Sequence, residues 1–245
     1  MIGRPATGAD PTDDVNLIAH RGCAGQYPEN TVFAVRSAAP HVEMIEIDVR
    51  RCGSGELVVF HDEDLGRLTD ETGAVAETDW ETLRTVTIGG SSEPIPRLES
   101  LLGAVPADVA VNVELKHDGM AADLLDVSKR YENELLFSSL SADALREIRR
   151  LDPGANLAYV FFDGPELALS VASEIGCTAV HPSIDLLSAT DFIDEAHALG
   201  VDVNAWTVTD RAIGTDLIAA GVDGLFVDRW DVFRTDGYSD YRESR

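Results

Sequence analysis

Glu46, Asp48 and Glu114 stand out as residues able to do chemistry. The segment Met44-Ile45-Glu46-Ile47-Asp48-Val49 alternates apolar and acidic side chains. In an extended strand neighbouring side chains take opposite faces, so Glu46 and Asp48 share one face and Ile45, Ile47 and Val49 the other. Val109–Lys116 repeats the arrangement, with Val111, Val113 and Leu115 on one face and Asn112, Glu114 and Lys116 on the opposite one. Converging carboxylates repel, and burying them unpaired costs several kcal/mol each. Two arrangements relieve this. A hard divalent cation (Mg2+ or Ca2+, with Mn2+ as a third option) takes oxygen ligands of this kind. An ion-pair network with Arg21, Arg50 and Lys116 would also serve. His20 and His61 add imidazoles that suit acid–base chemistry near neutral pH. Arg21 and Lys116 supply positive charge for an anion, Arg21 with the planar fork that grips phosphate. Together these groups suit cleavage of a phosphate ester better than acyl transfer. No G-x-S-x-G or Walker-type loop competes.

Such residues work only if a scaffold brings them together. Short apolar runs at Leu17–His20, Met44–Val49, Val109–Leu115, Leu135–Ser138, Leu157–Phe161, Ala179–His181, Val201–Trp206 and Gly224–Val227 read as strands. Between most of them lie stretches with helical spacing: Ala121–Tyr131, Ala142–Leu151, Glu166–Ile175, Asp191–Leu199 and Ile213–Ala220. Gly200 and Gly221 follow two of these, as C-terminal caps do. Strand–helix alternation implies a parallel sheet, and eight such units in this length imply a closed (β/α)8 barrel. Barrel enzymes carry their chemistry at the C-terminal ends of the strands, where His20, Asp48 and Glu114 fall. A short strand at Leu57–Phe60 leads into an insertion, about residues 62–97. That is too long for a βα loop, so it should form a small excursion over the mouth with a short strand and a helical turn near Asp79–Leu83. Residues 1–15 read as a polar leader and 16–245 as one barrel domain.

The chain has 245 residues and a formal net charge of −25, which argues against a nucleic-acid binder. Lys116 and Lys129 are the only lysines; every other basic residue is arginine. An acidic, lysine-poor surface resembles that of proteins from salt-loving organisms and predicts a requirement for molar salt. The three cysteines, Cys23, Cys52 and Cys177, have no C-x-x-C spacing, so neither a disulfide framework nor a structural zinc site is expected. The N-terminal stretch has no apolar segment of the secretory kind, and no run approaches the roughly 18 apolar residues of a membrane helix. The expectation is a cytoplasmic protein without membrane insertion, its homo-oligomeric state open.

His20-Arg21-Gly22, five residues, then Pro28-Glu29-Asn30-Thr31 resembles the signature of the glycerophosphodiester phosphodiesterases. The likeness continues through Glu46-x-Asp48, His61-Asp62, Thr72-Gly73, Trp80, Leu83, Ile95-Pro96-x-Leu98-Glu99 and Glu114-Leu115-Lys116. It closes with Trp206-Thr207-Val208, Gly221-Val222-Asp223-Gly224 and Asp228-Arg229, covering nearly the whole chain from residue 16 to about 234.

The resemblance implies a TIM barrel that hydrolyses a small glycerophosphodiester to glycerol phosphate and an alcohol. Glu46, Asp48 and Glu114 would hold one divalent cation. His20 and His61 would be the acid–base pair, His20 favoured as base and His61 as acid, acting on water or on the neighbouring glycerol hydroxyl. Arg21 and Lys116 would contact the phosphate. Trp206 would pack against the glycerol end, unless it simply fills the barrel. Glu29 and Asn30 would fix the first loop and cap the first helix, and Asp62 would orient His61 or cap the insertion. Two positions depart from the family pattern. Ser138-Ser139-Leu140 stands where Ser-Phe is common, and Val227 where Thr is common. The alternatives are a lysophospholipase D-like enzyme, a phosphatidylinositol-type phospholipase and a non-catalytic phosphopolyol-binding barrel. The tight Glu46-x-Asp48 and Glu114-x-Lys116 pairs argue against the phospholipase. No contiguous stretch reads as an apolar rim for an acyl chain.

Overall fold

The computed structural model describes residue 12 and residues 15–187 and 191–234. The leader expected at residues 1–15 lies almost wholly outside them. Nine strands are present among the described residues: β1 (Asn16–Ala19), β2 (Met44–Arg51), β3 (Leu57–Val59), β4 (Ala110–Leu115), β5 (Leu135–Ser139), β6 (Asn156–Phe161), β7 (Ala179–Pro182), β8 (Asp202–Val208) and β9 (Gly224–Val227). The order β1-β9-β8-β7-β6-β5-β4-β2 is parallel throughout, and pairing of β1 with β2 closes it into an eight-stranded barrel. β3 lies outside the ring, antiparallel to the end of β2.

The connecting helices are α1 (Val32–Ala38), α2 (Trp80–Leu83), α3 (Leu98–Leu102), α4 (Ala121–Ser128), α5 (Ala142–Leu151), α6 (Pro165–Ile175), α7 (Ile184–Leu187), α8 (Phe192–Ala198) and α9 (Arg211–Ala220). They pack on the outward faces of the strands, where Ile45, Ile47, Val49, Val111, Val113 and Leu115 are buried in one large core. The period-two alternation read from sequence therefore sorts the barrel correctly, aliphatic side chains outward to the helices and polar ones inward.

The insertion has its own small core: Cys52, Val58 and Phe60 pack with Leu65, Val75, Leu83, Ile88 and Ile95. The helical turn expected near Asp79–Leu83 is α2. The short strand expected within it reduces to isolated bridges, Asp64 with Ala74 and Thr87 with Pro94. Proline has no N–H to extend a ladder. The first strand has the expected length but lies one residue earlier, at Asn16–Ala19. It stops at Ala19, and His20–Gly22 form a 3-10 turn with Arg21 at φ 52° and Gly22 at φ 75°.

Candidate active site

The eight residues singled out in the sequence line one cavity at the C-terminal end of the barrel, about 440 Å³ with its open mouth included. One half is charged: His20, Arg21, Glu46, Asp48, His61, Glu114 and Lys116. The other half is formed by Leu140, Val160, His181, Trp206 and Phe226. Leu140 thus stands on the wall although the sequence lacks the family's Phe there.

The register explains the acidic cluster. Glu46 and Asp48 point inward from β2, and Glu114 lies beside Asp48 on β4. One oxygen from each carboxylate falls within 4.8 Å of the others. Glu46 and Asp48 are each only 1% exposed, so they cannot shed their charge into water. Glu46 accepts the Arg21 main-chain N–H at 2.7 Å through Oε2, while its Oε1 is buried without a partner. Burial, then Asp48 and Glu114, push its carboxyl well above the usual range. Asp48 goes the other way. Burial alone would raise it, but Lys116 and Arg21 outweigh that and hold it well below the usual value. Lys116 Nζ lies 2.7 Å from Glu114 and 3.1 Å from Asp48. The ion-pair network is therefore real for Arg21 and Lys116 but leaves Glu46 Oε1 unserved. Arg50 makes no close ion pair in it and acts on Asp48 and Glu114 only at longer range; its Nε donates to the His61 carbonyl at 2.9 Å.

Both histidines are held by carboxylates. His20 Nδ1 lies 2.7 Å from Asp228, and His61 Nδ1 lies 2.6 Å from Asp62. Each ring therefore keeps Nε2 free for the cavity. Burial lowers the pKa of His61, with Lys116 and Arg21 adding to the effect and Asp48 and Asp62 opposing it. Asp62 is pinned by Arg67, which also reaches Glu29. Asp62 therefore orients His61, one of the two roles open from sequence.

Asn30 corrects an expectation. It does not cap α1; Thr31 does, accepting from Ala34 N at 3.1 Å. Asn30 instead donates to Asp48 at 2.8 Å and accepts the Asp48 main-chain N–H at 3.1 Å. Glu29 does fix the first loop, through Arg21. Sequence reasoning gave Asp228 no role, although it ended the family-like stretch, and it missed His181, which carried no signal at all.

This geometry puts a cluster of carboxylate oxygens, two oriented imidazoles and two fixed cations around one space. That set can bind a phosphate and manage proton transfer at an ester oxygen. A sequence profile of the glycerophosphoryl diester phosphodiesterase family matches residues 20–232. The Bacillus subtilis protein YqiK, itself uncharacterised, is 32% identical over 86% of this chain and 94% of its own length. A glycerophosphodiester phosphodiesterase of Caldanaerobacter subterraneus is 28% identical over 86% and 93%. Among solved structures, an Oleispira antarctica phosphodiesterase in complex with the product sn-glycerol-3-phosphate superposes with a TM-score of 0.82. It is 29% identical and covers 87% of this chain and 92% of its own. The profile spans the barrel from His20 to beyond Asp228, taking in every charged group of the cavity, and the chain belongs to the glycerophosphoryl diester phosphodiesterase family.

Proposed function

We propose that the cavity hydrolyses a glycerophosphodiester to glycerol phosphate and an alcohol, with one divalent cation, Mg2+ or Ca2+, held by Glu46, Asp48 and Glu114. The observation that carries this reading is the convergence of all seven charged groups on one space, facing an apolar wall. The cation fits these residues. Their oxygens are mutually close, and Glu46 Oε1 is a buried acceptor with no donor. Such an ion supplies Lewis-acid polarisation of a phosphate oxygen.

The chain's own residues do the rest. Arg21 and Lys116 draw the phosphate to the charged half. Asp228 and Asp62 fix the rings of His20 and His61, so each presents Nε2 to the ester. We keep His20 as the base that takes the proton of the attacking oxygen, from water or the neighbouring glycerol hydroxyl, as it bonds to phosphorus; the glycerol route gives a cyclic phosphate that water then opens. His61 then gives a proton to the departing alkoxide as the P–O bond breaks. Burial lowers the His61 pKa, and the anionic phosphate beside it favours the protonated form that donates. Trp206, with its indole N–H donated to the His181 carbonyl at 2.7 Å, presents a fixed ring to the glycerol end.

A second reading has one observation in its favour. Leu140 and Phe162, the first residues after β5 and β6, are large and exposed, as is Leu167 in the first turn of α6. Leu140, which also lines the cavity, and Phe162 offer exposed apolar surface to an acyl chain, although no contiguous sequence stretch predicts it.

Both readings meet in one assay: glycerophosphocholine and lysophosphatidylcholine, each with divalent cation and with EDTA. We expect glycerol phosphate from the first substrate with cation, loss of turnover in EDTA and recovery on adding the ion back. His20→Ala and His61→Ala should each lower kcat by roughly 10²–10⁴-fold with the circular dichroism spectrum unchanged. Undiminished turnover in EDTA rejects the cation. Cleavage of lysophosphatidylcholine in preference moves the assignment to the second reading. No cleavage of either leaves a phosphopolyol-binding barrel.

A further inference from the structure

His181 is the one polar side chain on the otherwise apolar wall formed by Leu140, Val160, Trp206 and Phe226, setting aside the Trp206 indole N–H that is already spent on a carbonyl. It is 1% exposed, and its Nδ1 is buried with no hydrogen-bonding partner. Its position across the ring is set by strand order. Four steps separate β7 from β2 in either direction, so His181 faces Glu46 and Asp48 from the opposite side. Phe226 packs edge-on against the ring at a centroid distance of 4.8 Å.

The contact at the other nitrogen points to which one carries the proton. Asn204 Nδ2 donates to His181 Nε2 at 3.2 Å. An imidazole that accepts at Nε2 bears its hydrogen on Nδ1. Asn204 is itself wedged in place. A Cβ on Gly224 would come within 2.4 Å of its Oδ1, so only glycine there leaves room for the amide. Burial alone pushes the His181 pKa down to about 3, so the ring is neutral at working pH. The wall therefore carries a fixed, uncharged N–H donor.

Building on the proposed phosphodiesterase reading, we infer that His181 is a specificity-determining residue whose Nδ1–H donates to a hydroxyl of the glycerol group. The phosphate is served by Arg21 and Lys116 on the charged half, so the part of the ligand that reaches β7 is the polyol. A neutral donor surrounded by apolar side chains suits a neutral oxygen. An alkyl group of the same length leaves this buried N–H unpaired as before, whereas a hydroxyl gains its hydrogen bond, which is where the discrimination comes from.

The test compares binding of sn-glycerol 3-phosphate and n-propyl phosphate by calorimetry, in wild type, His181→Phe and His181→Asn. Wild type should prefer glycerol phosphate. In His181→Phe that preference should fall by roughly tenfold, about the worth of one buried hydrogen bond. His181→Asn sets an amide nitrogen near the position of Nδ1 and should keep part of it. An unchanged ratio in His181→Phe overturns the role of His181 and leaves the phosphodiesterase reading standing. Failure of wild type to bind glycerol phosphate at all overturns both. Nitrogen-15 spectra of wild type give an arm that needs no folded variant. They should show the Nδ1–H tautomer, shifting on addition of glycerol phosphate; an Nε2–H tautomer or an unmoved signal refutes the assignment.

Discussion

Glu46 and Asp48 are two residues apart on one strand face, yet their environments drive their carboxyls in opposite directions. Burial and two neighbouring carboxylates raise Glu46; Lys116 and Arg21 hold Asp48 down against its own burial. His181 is simpler, because burial is the only cause acting on it and no charge opposes it. That makes it a clean probe of linkage. Its pKa is about 3 in the fold against an ordinary 6.5. As pH falls, the unfolded chain takes up the proton first, so stability is lost progressively from about 6.5 down to about 3. At pH 5 the loss from this one ring should be about 2 kcal/mol relative to pH 7. Urea unfolding of wild type and His181→Asn at both values measures it. The variant should lose about 2 kcal/mol less between pH 7 and 5, whatever constant cost the substitution carries. An identical loss in the two proteins would mean the ring is solvated or paired in the fold.

The turn after β1 is the element that makes the site. It reverses the chain so that the Arg21 main chain donates to Glu46 while its side chain reaches Glu29 and Asp48. Gly22 is forced there twice, by φ 75° and by the neighbouring helix, since a Cβ would lie 2.9 Å from the Ala34 Cβ on α1. Gly22→Ala should cost roughly 1–2 kcal/mol from backbone strain alone, and more from the clash. It should also lower turnover, because Arg21 and His20 move with the turn. Gly55→Ala is the comparison. Its φ is 104° with nothing within 4 Å, so it bears strain without a clash and does not line the cavity. Equal activity loss in the two variants would remove the positional argument. Much of this was legible beforehand. The alternation around Glu46 and Glu114 fixes the inward face, and strand–helix rhythm fixes the barrel, because both are local properties of the chain. Partnerships that close the ring were not. Asp228 meets His20 across 208 residues, and Arg67 meets Glu29 across 38. No local pattern encodes such a pairing; it exists only once β9 lies against β1 and the insertion sets Arg67 beside Glu29 of the first loop.

Charge is distributed over the whole molecule in a way that bears on both stability and encounter. The end of the barrel opposite the candidate site gathers Glu43, Asp108, Glu132, Glu134 and Asp202 around one broad hollow that, among the described residues, is lined by no lysine or arginine. Asp202 is pushed up by burial and by Asp223, as expected where negative charges crowd. These groups repel one another in the folded state more than in the expanded one, and a net charge of −25 extends that repulsion over the surface. An anionic diester approaching in dilute buffer meets the same field. At about 1 M salt the screening length falls to roughly 3 Å, and only Arg21, Lys116 and whatever lies within the cavity still act on it. Salt should therefore raise Tm, at roughly 2–4 °C per kcal/mol of repulsion relieved, and should raise kcat/KM for glycerophosphocholine. That is the opposite of an enzyme that steers an anion with a positive surface. The two effects separate by ion. Potassium chloride acts mainly by screening, whereas sulfate at equal ionic strength also strengthens apolar burial. A matched rise in kcat/KM with both salts, alongside a larger Tm gain with sulfate, identifies screening as the cause of the kinetic effect. Full activity and full stability at 50 mM salt would show that local charge pairing already neutralises the field, and the halophilic reading would fall.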